Sequence, residues 1–234
     1  MRDEELPRKV EVSQELAKTA IRVVLADDHA LVRSTLAAWL RNPGGMDVVS
    51  EVGEASEALD ACLKYTPDVV VLDIDMPGLQ AFDAARTIRA RCPGTRILFL
   101  SGFMNDRYIE SALSVEASGY ITKGEPPQAV AEAIELAVSG RTYFSPEIRS
   151  RLVFEGTEVK LDPKNATRAS LLTLREVDVL RYIARGMAKK EIASTMHLSV
   201  KTVDNHCTSM MNKLDIHDRV ELARFAIREG LSEP

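Results

Sequence analysis

Five polar residues stand where short apolar runs of the sequence end, and together they could carry out phosphoryl chemistry. They are Asp27, Asp28, Asp73, Ser101 and Lys123. Three carboxylates offer oxygen ligands that suit Mg²⁺ better than zinc, because no cysteine or histidine accompanies them at a metal spacing. A carboxylate can attack phosphorus and become an aspartyl phosphate. An ammonium group and a hydroxyl group could then bind oxygens of the transferred group.

Each of these residues also has an ordinary structural interpretation. Asp28 could cap a helix, Ser101 could be a turn hydroxyl beside Gly102, and Lys123 could be a solvated surface lysine. Turn chemistry explains any one of them alone. It explains less well why such residues follow four different apolar runs, so the joint placement favours a site.

The apolar runs alternate with helical patterns from Ile21 to about Ser139, which predicts strands separated by crossover helices. The runs are Ile21–Ala26, Val48–Val52, Val69–Leu72, Ile97–Leu100 and Tyr120–Ile121. Val69–Leu72 is apolar without alternation, as in a central parallel strand covered on both faces. This rhythm predicts an α/β doubly wound sheet of five parallel strands. Ligand sites of such sheets lie at the carboxyl ends of the strands, where the five polar residues stand.

From Thr173 onward the sequence predicts four helices, over about 173–185, 189–196, 200–213 and 218–229. Thr173 and Glu176 form a capping-box pattern, and Ser199 is placed to cap the third helix. A short helix, a tight turn and a second helix are typical of a helix-turn-helix, which places its second helix in the major groove of DNA. A small bundle whose polar face meets only water is the alternative, and the helix pattern alone does not decide between them.

The third of these helices has two distinct faces. Its apolar stripe is formed by Val203, Cys207, Met210 and Leu214, which recur at helical spacing. The polar face carries lysine, amide and hydroxyl groups, which can bind phosphates and base edges. The composition of this polar face therefore favours DNA binding.

The chain has 234 residues and a net charge of −5, with 45% hydrophobic and 28% charged residues. We divide it into an N-terminal extension (1–20), a sheet domain (21–139), a linker (140–170) that could hold a short helix around Pro146–Phe154, and a helical domain (171–234). No apolar run approaches the ~20 residues that span a bilayer. Three scattered cysteines make a disulfide framework unlikely. We therefore expect a cytoplasmic protein without a membrane partner.

Residues 21–139 resemble the receiver domain of two-component response regulators. The matching segments are Val24–His29, Val70–Gly78, Leu98–Gly102 and Gly119–Lys123. The resemblance implies that Asp73 accepts a phosphoryl group from a sensor histidine kinase, with Ser101 and Lys123 completing the catalytic set. It also implies that Mg²⁺ is bound by Asp27, Asp28, Asp73 and the backbone carbonyl of Asp75.

The same resemblance assigns a switch to two of these positions. Ser101 occupies the place of the switch hydroxyl, and Tyr120 that of the switch aromatic residue. It implies that phosphorylation pulls the hydroxyl inward and that the aromatic ring follows. It gives the protein no enzymatic activity beyond its own phosphorylation and dephosphorylation.

Residues 172–230 resemble the LuxR-type DNA-binding domain, and the whole chain is similar to response regulators of the NarL/FixJ class. The resemblance implies a homodimer on double-stranded promoter DNA, with half-sites about 10 bp apart. Base-facing positions would be Asp204, Asn205 and Thr208, and phosphate contacts Lys189, Lys190, Lys201, Thr202 and Lys213. Asp204 departs from the family pattern, which often has lysine or another neutral-to-basic residue at this position, and an acid cannot pair with phosphate. It could accept from a cytosine amino group, or hold Lys201 or Arg219 in place.

Two further functions remain open at this point. The pattern of Asp73 and Asp75 also matches the signature of aspartate-based phosphatases, although there the signature follows the first strand and the paired acids come late. A receiver domain used only for constitutive dimerisation is the other alternative. Whether the unphosphorylated protein hides residues 200–213 against the sheet domain is a hypothesis that comes from the family.

Overall fold

The structure is a computed structural model that describes residues 20–76, 80–156, 158–162, 164 and 167–231. Most of the predicted N-terminal extension and the Pro77-Gly78 part of one motif lie outside the described residues. In the part of the chain that is described, we find no helix with the length and apolar content needed to cross a membrane.

A six-stranded parallel sheet forms the centre of the first domain. Its strands, in the order β2-β1-β3-β4-β5-β6, are β1 (Arg22–Ala26), β2 (Asp47–Val52), β3 (Val69–Asp73), β4 (Arg96–Ser101), β5 (Gly119–Thr122) and β6 (Tyr143–Phe144). Every residue of β3 is buried. This confirms the doubly wound parallel sheet and the interpretation of Val69–Leu72 as a central strand.

Helices cover both faces of the sheet. They are α1 (Ala30–Arg41), α2 (Ala55–Tyr65), α3 (Ala81–Arg91), α4 (Asp106–Ser114) and α5 (Pro127–Val138). Successive residues of a strand point to opposite faces. Accordingly, Val24 and Val70 pack in a core with α2, α3 and α4, whereas Val23 and Val71 pack in a second core with α1 and α5.

The predicted linker contains regular structure that the sequence analysis did not foresee. The prediction of five strands was short by one, because β6 adds to the edge of β5 at Gly119. A Cβ there would lie 2.3 Å from the carbonyl oxygen of Tyr143, so this close pairing requires glycine. The short helix predicted over Pro146–Phe154 ends early, as α6 (Pro146–Arg149).

An antiparallel hairpin follows α6, formed by β7 (Leu152–Glu155) and β8 (Glu158–Leu161). Gly156, with φ of 63°, stands in its turn, where a left-handed conformation favours glycine. The buried side chain of Leu152 packs in the core, and Arg151 pairs with the buried carboxylate of Asp106 at 2.7 Å. The hairpin is thereby fixed to the start of α4.

The second domain is helical, as predicted. A short 3₁₀ helix (Arg168–Leu171) precedes α7 (Leu174–Ala184), α8 (Lys189–Thr195), α9 (Val200–Leu214) and α10 (Arg219–Arg228). The capping box of Thr173 and Glu176 is present, and Ser199 caps α9 by accepting from the backbone N–H of Thr202 at 3.0 Å. The apolar stripe of α9 is buried in full. The helix-turn-helix of α8 and α9 is therefore confirmed.

Candidate functional site

The carboxyl ends of three strands bring the predicted acidic residues and the lysine together. Asp27 follows β1, Asp73 ends β3 and Lys123 follows β5. Asp27 and Asp73 have no exposed surface, whereas Asp28 next to them reaches solvent. Two carboxylates buried side by side repel each other unless a positive charge lies between them. The site therefore requires a cation.

Lys123 supplies that positive charge. Its Nζ lies 2.8 Å from Oδ2 of Asp73, to which it donates a hydrogen bond, and 2.8 Å from Oδ2 of Asp27. The approach to Asp27 is an ion-pair contact without hydrogen-bond geometry. Lys123 therefore bridges the two buried acids, and Oδ2 of Asp27 keeps a lone pair that accepts no hydrogen bond from the described residues.

Burial governs the protonation of this pair. Desolvation raises the pKa of Asp73 to about 7, although the charge of Lys123 acts against that rise. Burial also disfavours the ammonium form of Lys123, but the charge of Asp73 and the close contacts with both acids outweigh it and raise the pKa of Lys123. Lys123 is thus charged, and more positive charge beside Asp73 would favour the carboxylate that phosphoryl transfer needs.

The acidic cluster fits a small divalent cation. Ligand atoms of Asp27, Asp28, His29 and Asp73 lie within 4.8 Å of one another. Oδ2 of Asp27 is buried and accepts no hydrogen bond from the residues that the structure describes. An oxygen-rich set with an unsatisfied buried carboxylate oxygen suits Mg²⁺.

His29 belongs to this cluster, although the sequence analysis counted no histidine among the candidate metal ligands. It precedes α1, its Nδ1 lies 2.7 Å from Asp28, and its backbone N–H donates to Asp27 at 2.8 Å. Its adjacency in sequence to two acids was the signal that could have placed it here.

The predicted switch residues both contact the backbone of Phe103. Ser101 Oγ donates to the Phe103 carbonyl at 3.0 Å and accepts from its N–H at 3.1 Å. The Tyr120 hydroxyl donates to the same carbonyl at 3.0 Å, and its ring has no exposed surface. The aromatic ring is already inside the protein, so an inward swing of Tyr120 is not open to this conformation.

Asp75 contacts both the central acid and the helical domain. Its backbone N–H donates to Oδ1 of Asp73 at 3.0 Å, whereas its carboxylate pairs with Arg181 of α7. The loop that follows the central acid is therefore tied to the helical domain, a contact that sequence reasoning missed.

The polar face of α9 is open to solvent. Lys201, Asn205 and Thr208 are exposed, and so is Lys190 on α8. The sheet domain instead contacts α7 through Tyr108 and the segment around Asp75, and Arg107 contacts the carbonyl of Leu172, just before α7. The hypothesis that residues 200–213 are hidden against the sheet domain is therefore wrong for this conformation.

Several of the predicted DNA contacts are held by other residues of the same domain. Asp204 pairs with Lys189, and its other oxygen lies 3.9 Å from Lys201. Asp204 thus holds Lys201, as one alternative had it, but its main partner is Lys189 rather than Arg219. In this conformation both carboxylate oxygens of Asp204 thus face lysine side chains.

Two more predicted contacts are held near the ends of α9. Lys213 lies 2.7 Å from Glu176, at the start of α7. The Thr202 hydroxyl lies 2.8 Å from that of Ser199. Asn205 and Thr208 remain the exposed polar side chains at the centre of the face.

Comparisons with known proteins agree with this architecture. Residues 23–135 match the response regulator receiver domain, and residues 170–226 match the luxR family of bacterial regulatory proteins. The chain is 35% identical over 216 residues to the oxygen regulatory protein NreC of Staphylococcus aureus, a match that covers 91% of this chain and 100% of that protein.

Solved structures give the same picture. A LuxR-family two-component response regulator from Aurantimonas sp. SI85-9A1 is 34% identical, with a TM-score of 0.53 over 56% of this chain and 94% of that chain. RcsB from Salmonella enterica serovar Typhimurium, bound to promoter rprA in the presence of phosphomimetic BeF₃⁻, has a similar fold. It is 23% identical, with a TM-score of 0.63 over 88% of this chain and 98% of that chain.

Proposed function

Because the chain belongs to the two-component response regulators of the NarL/FixJ class, with a receiver domain and a LuxR-type DNA-binding domain, we propose that it is a transcription factor controlled by phosphorylation of Asp73. The observation that carries this proposal is the bridge from Lys123 to the buried carboxylates of Asp27 and Asp73. Such an arrangement has the nucleophile and the positive charge that phosphoryl transfer requires.

The reaction follows from the positions of the side chains. An oxygen of Asp73 forms a bond to phosphorus while the bond between phosphorus and the nitrogen of the kinase histidine breaks. Lys123 binds one oxygen of the transferred group, and Ser101 binds another after its hydroxyl leaves the Phe103 carbonyl. A Mg²⁺ ion bound by Asp27, Asp28, Asp73 and the Asp75 carbonyl would supply positive charge to the transferring oxygens.

This chemistry makes the protein a phosphoryl acceptor rather than a turnover enzyme. The phosphatase alternative needs the second acid of its signature as a proton donor and acceptor. That residue, Asp75, is instead paired with Arg181, and the side chain of Asp75 is only 7% exposed. We expect the isolated protein to leave a phosphate ester such as p-nitrophenyl phosphate unhydrolysed, and sustained turnover would favour the phosphatase.

The helical domain is the part that would read promoter DNA. We propose that α9 enters the major groove with Asn205 and Thr208 facing the bases, and that Lys190 and Lys201 contact phosphates. A homodimer would place two copies on adjacent half-sites, and α10 is the candidate dimer face because Val220 is largely exposed there. The proposed partners are thus a sensor histidine kinase, promoter DNA and a second copy of the chain, in the cytoplasm.

The proposal is tested by measuring DNA affinity with and without phosphorylation. Sites are first selected from random DNA, and the affinity of the full chain is then measured before and after treatment with acetyl phosphate and Mg²⁺. We expect treatment to tighten binding by about tenfold, within the usual range of coupling between two sites. Asp73→Asn should not respond. Equal affinities in the treated and untreated wild type would favour a receiver domain that only dimerises.

A further inference from the structure

The helical domain reaches the phosphorylation site through one side chain. Arg181 of α7 pairs with the carboxylate of Asp75, and the centre of its guanidinium lies 4.2 Å from the centre of the Phe103 ring. Asp75 lies two positions after Asp73, and Phe103 two positions after Ser101. Asp75 donates its backbone N–H to Asp73, and Phe103 binds the Ser101 hydroxyl through its backbone, so both residues adjoin groups that would bind a phosphoryl group on Asp73. Arg181 therefore holds both of them at once.

A small polar network supports this contact. The Tyr108 hydroxyl donates to Asp178 of α7 at 2.9 Å and accepts from Nη1 of Arg181 at 3.2 Å. Gln80, at the start of α3, also donates to Asp178. Two residues of α7, one turn apart, are thus held by the sheet domain next to the phosphorylation site.

The contact of Arg181 with the sheet domain has features of a reversible one. Nη2 of Arg181 is buried and has no hydrogen-bond partner among the described residues, and a cavity of about 40 Å³ remains beside it. A buried guanidinium costs free energy unless its donors are paired. The docked state is therefore stabilised by the pairing with Asp75 but leaves one donor unsatisfied, which favours a reversible contact over a permanent one.

We infer that Arg181 is a positioning residue through which the helical domain slows phosphoryl transfer to Asp73. In the docked conformation Asp75 and Phe103 are held, Asp73 has no exposed surface, and Tyr120 is already inside. The incoming group needs Asp75 and Phe103 to move, and they move freely only when α7 leaves. Docking and phosphorylation then oppose each other directly, although α9 stays exposed throughout. This inference rests on the proposed function.

The test compares initial rates of phosphorylation of the full chain by acetyl phosphate with Mg²⁺, followed by intact mass. Arg181→Gln should be phosphorylated about 5-fold faster or more than the wild type, the lower end of typical coupling between sites. Loss of a positive charge near the site would by itself slow transfer from an anionic donor. A faster rate is therefore the opposite of the simple electrostatic effect, and damage to the sheet domain would not produce it.

Three further variants make the result specific. Arg181→Lys retains the charge and should return the rate towards the wild type. Tyr108→Phe removes only the hydroxyl that contacts Asp178 and Arg181, and should give a smaller increase. Arg224→Gln on α10 makes the same change of charge at an exposed position and should leave the rate unchanged.

The outcomes separate this inference from the proposed function. If the wild type and Arg181→Gln are phosphorylated at the same rate, the inference is wrong and the proposed function stands. A slower rate in Arg181→Gln, with Arg181→Lys also slow, would also overturn it. If neither protein gains a phosphoryl group, the proposed function fails, and the inference fails with it.

Discussion

The Nζ atom of Lys123 lies 2.8 Å from Oδ2 of Asp73, in a site where Asp73 has no exposed surface. The two residues come from the ends of strands β5 and β3, so the parallel sheet alone brings them into contact. The ammonium group neutralises a carboxylate that burial would otherwise protonate. It also lies where oxygens of a transferred phosphoryl group would arrive.

Replacing Lys123 with Met removes this charge and retains most of the apolar stem. We expect phosphorylation of Asp73 by acetyl phosphate to slow about 100-fold, because one preorganised donor to a developing charge contributes roughly that factor. The rate is measured by intact mass over time at fixed Mg²⁺. Lys190→Met, at an exposed position on α8, is the control and should retain the wild-type rate. An unchanged rate in Lys123→Met would contradict the role of this ammonium group.

Phe103→Ala should shorten the half-life of the acyl phosphate. The ring stands two residues after Ser101, where we expect it to hinder an attacking water, and its removal should open that path. The half-life is measured by loss of the phosphorylated mass after the donor is removed. Phe154→Ala is the matched control, because that ring also lies near an arginine, Arg149, but is half exposed on the β7–β8 hairpin. Equal half-lives in Phe103→Ala and the wild type would remove the hypothesis.

Asp204→Asn should change how the protein binds DNA. Loss of the negative charge frees Lys189 for a phosphate contact, so the slope of log affinity against log salt should steepen by about one. Site preference should change as well if Asp204 also accepts from a cytosine. Asp215→Asn makes the same change of charge at the exposed end of α9, where asparagine tolerates the positive φ. If both variants behave alike, the effect is one of net charge and not of the Lys189 pair.

Glu176 should make the helical domain sensitive to acid. Burial would raise the pKa of Glu176, but hydrogen bonds from Lys213, Ser209 and Thr173 outweigh it and lower that pKa to about 2, from 4.5. A lowered pKa stabilises the fold above pH 4.5, and this contribution is lost as the pH falls towards 2. It amounts to about 2 kcal/mol.

The measurement is urea unfolding of the full chain at several pH values, followed by a signal from the helical domain. Glu176→Gln should be less stable than the wild type at pH 7, and the difference should shrink as the pH falls from 4.5 towards 2. Glu229→Gln, at the end of α10, is the control and should follow the wild type. A difference that stays constant with pH would show that the ionisation of Glu176 is not the cause.

Much of the fold could be predicted from the sequence, because it depends on local periodicity. Val69–Leu72 is apolar at every position and therefore central, and the stripe of Val203 to Leu214 repeats at helical spacing. β6 could not be predicted, since two residues hold no periodicity. It exists because Gly119, distant in sequence, leaves room for the Tyr143 backbone.

The same distinction between local pattern and long-range packing applies to the site. Asp27, Asp73 and Lys123 could be placed together because strand ends of a parallel sheet meet at one edge. The Arg181 contact could not be foreseen, because it depends on how two domains pack and nothing near Arg181 in the sequence marks it. Asp204 was recognised as unusual, but its partner Lys189 stands on another helix.

The central claim is that Asp73 accepts a phosphoryl group, and intact mass measurement tests it most directly. The full chain is incubated with acetyl phosphate, with and without Mg²⁺, beside Asp73→Asn. The wild type should gain the mass of one phosphoryl group only when Mg²⁺ is present, and Asp73→Asn should gain none. An unchanged wild-type mass, or an equal gain in Asp73→Asn, would contradict the claim.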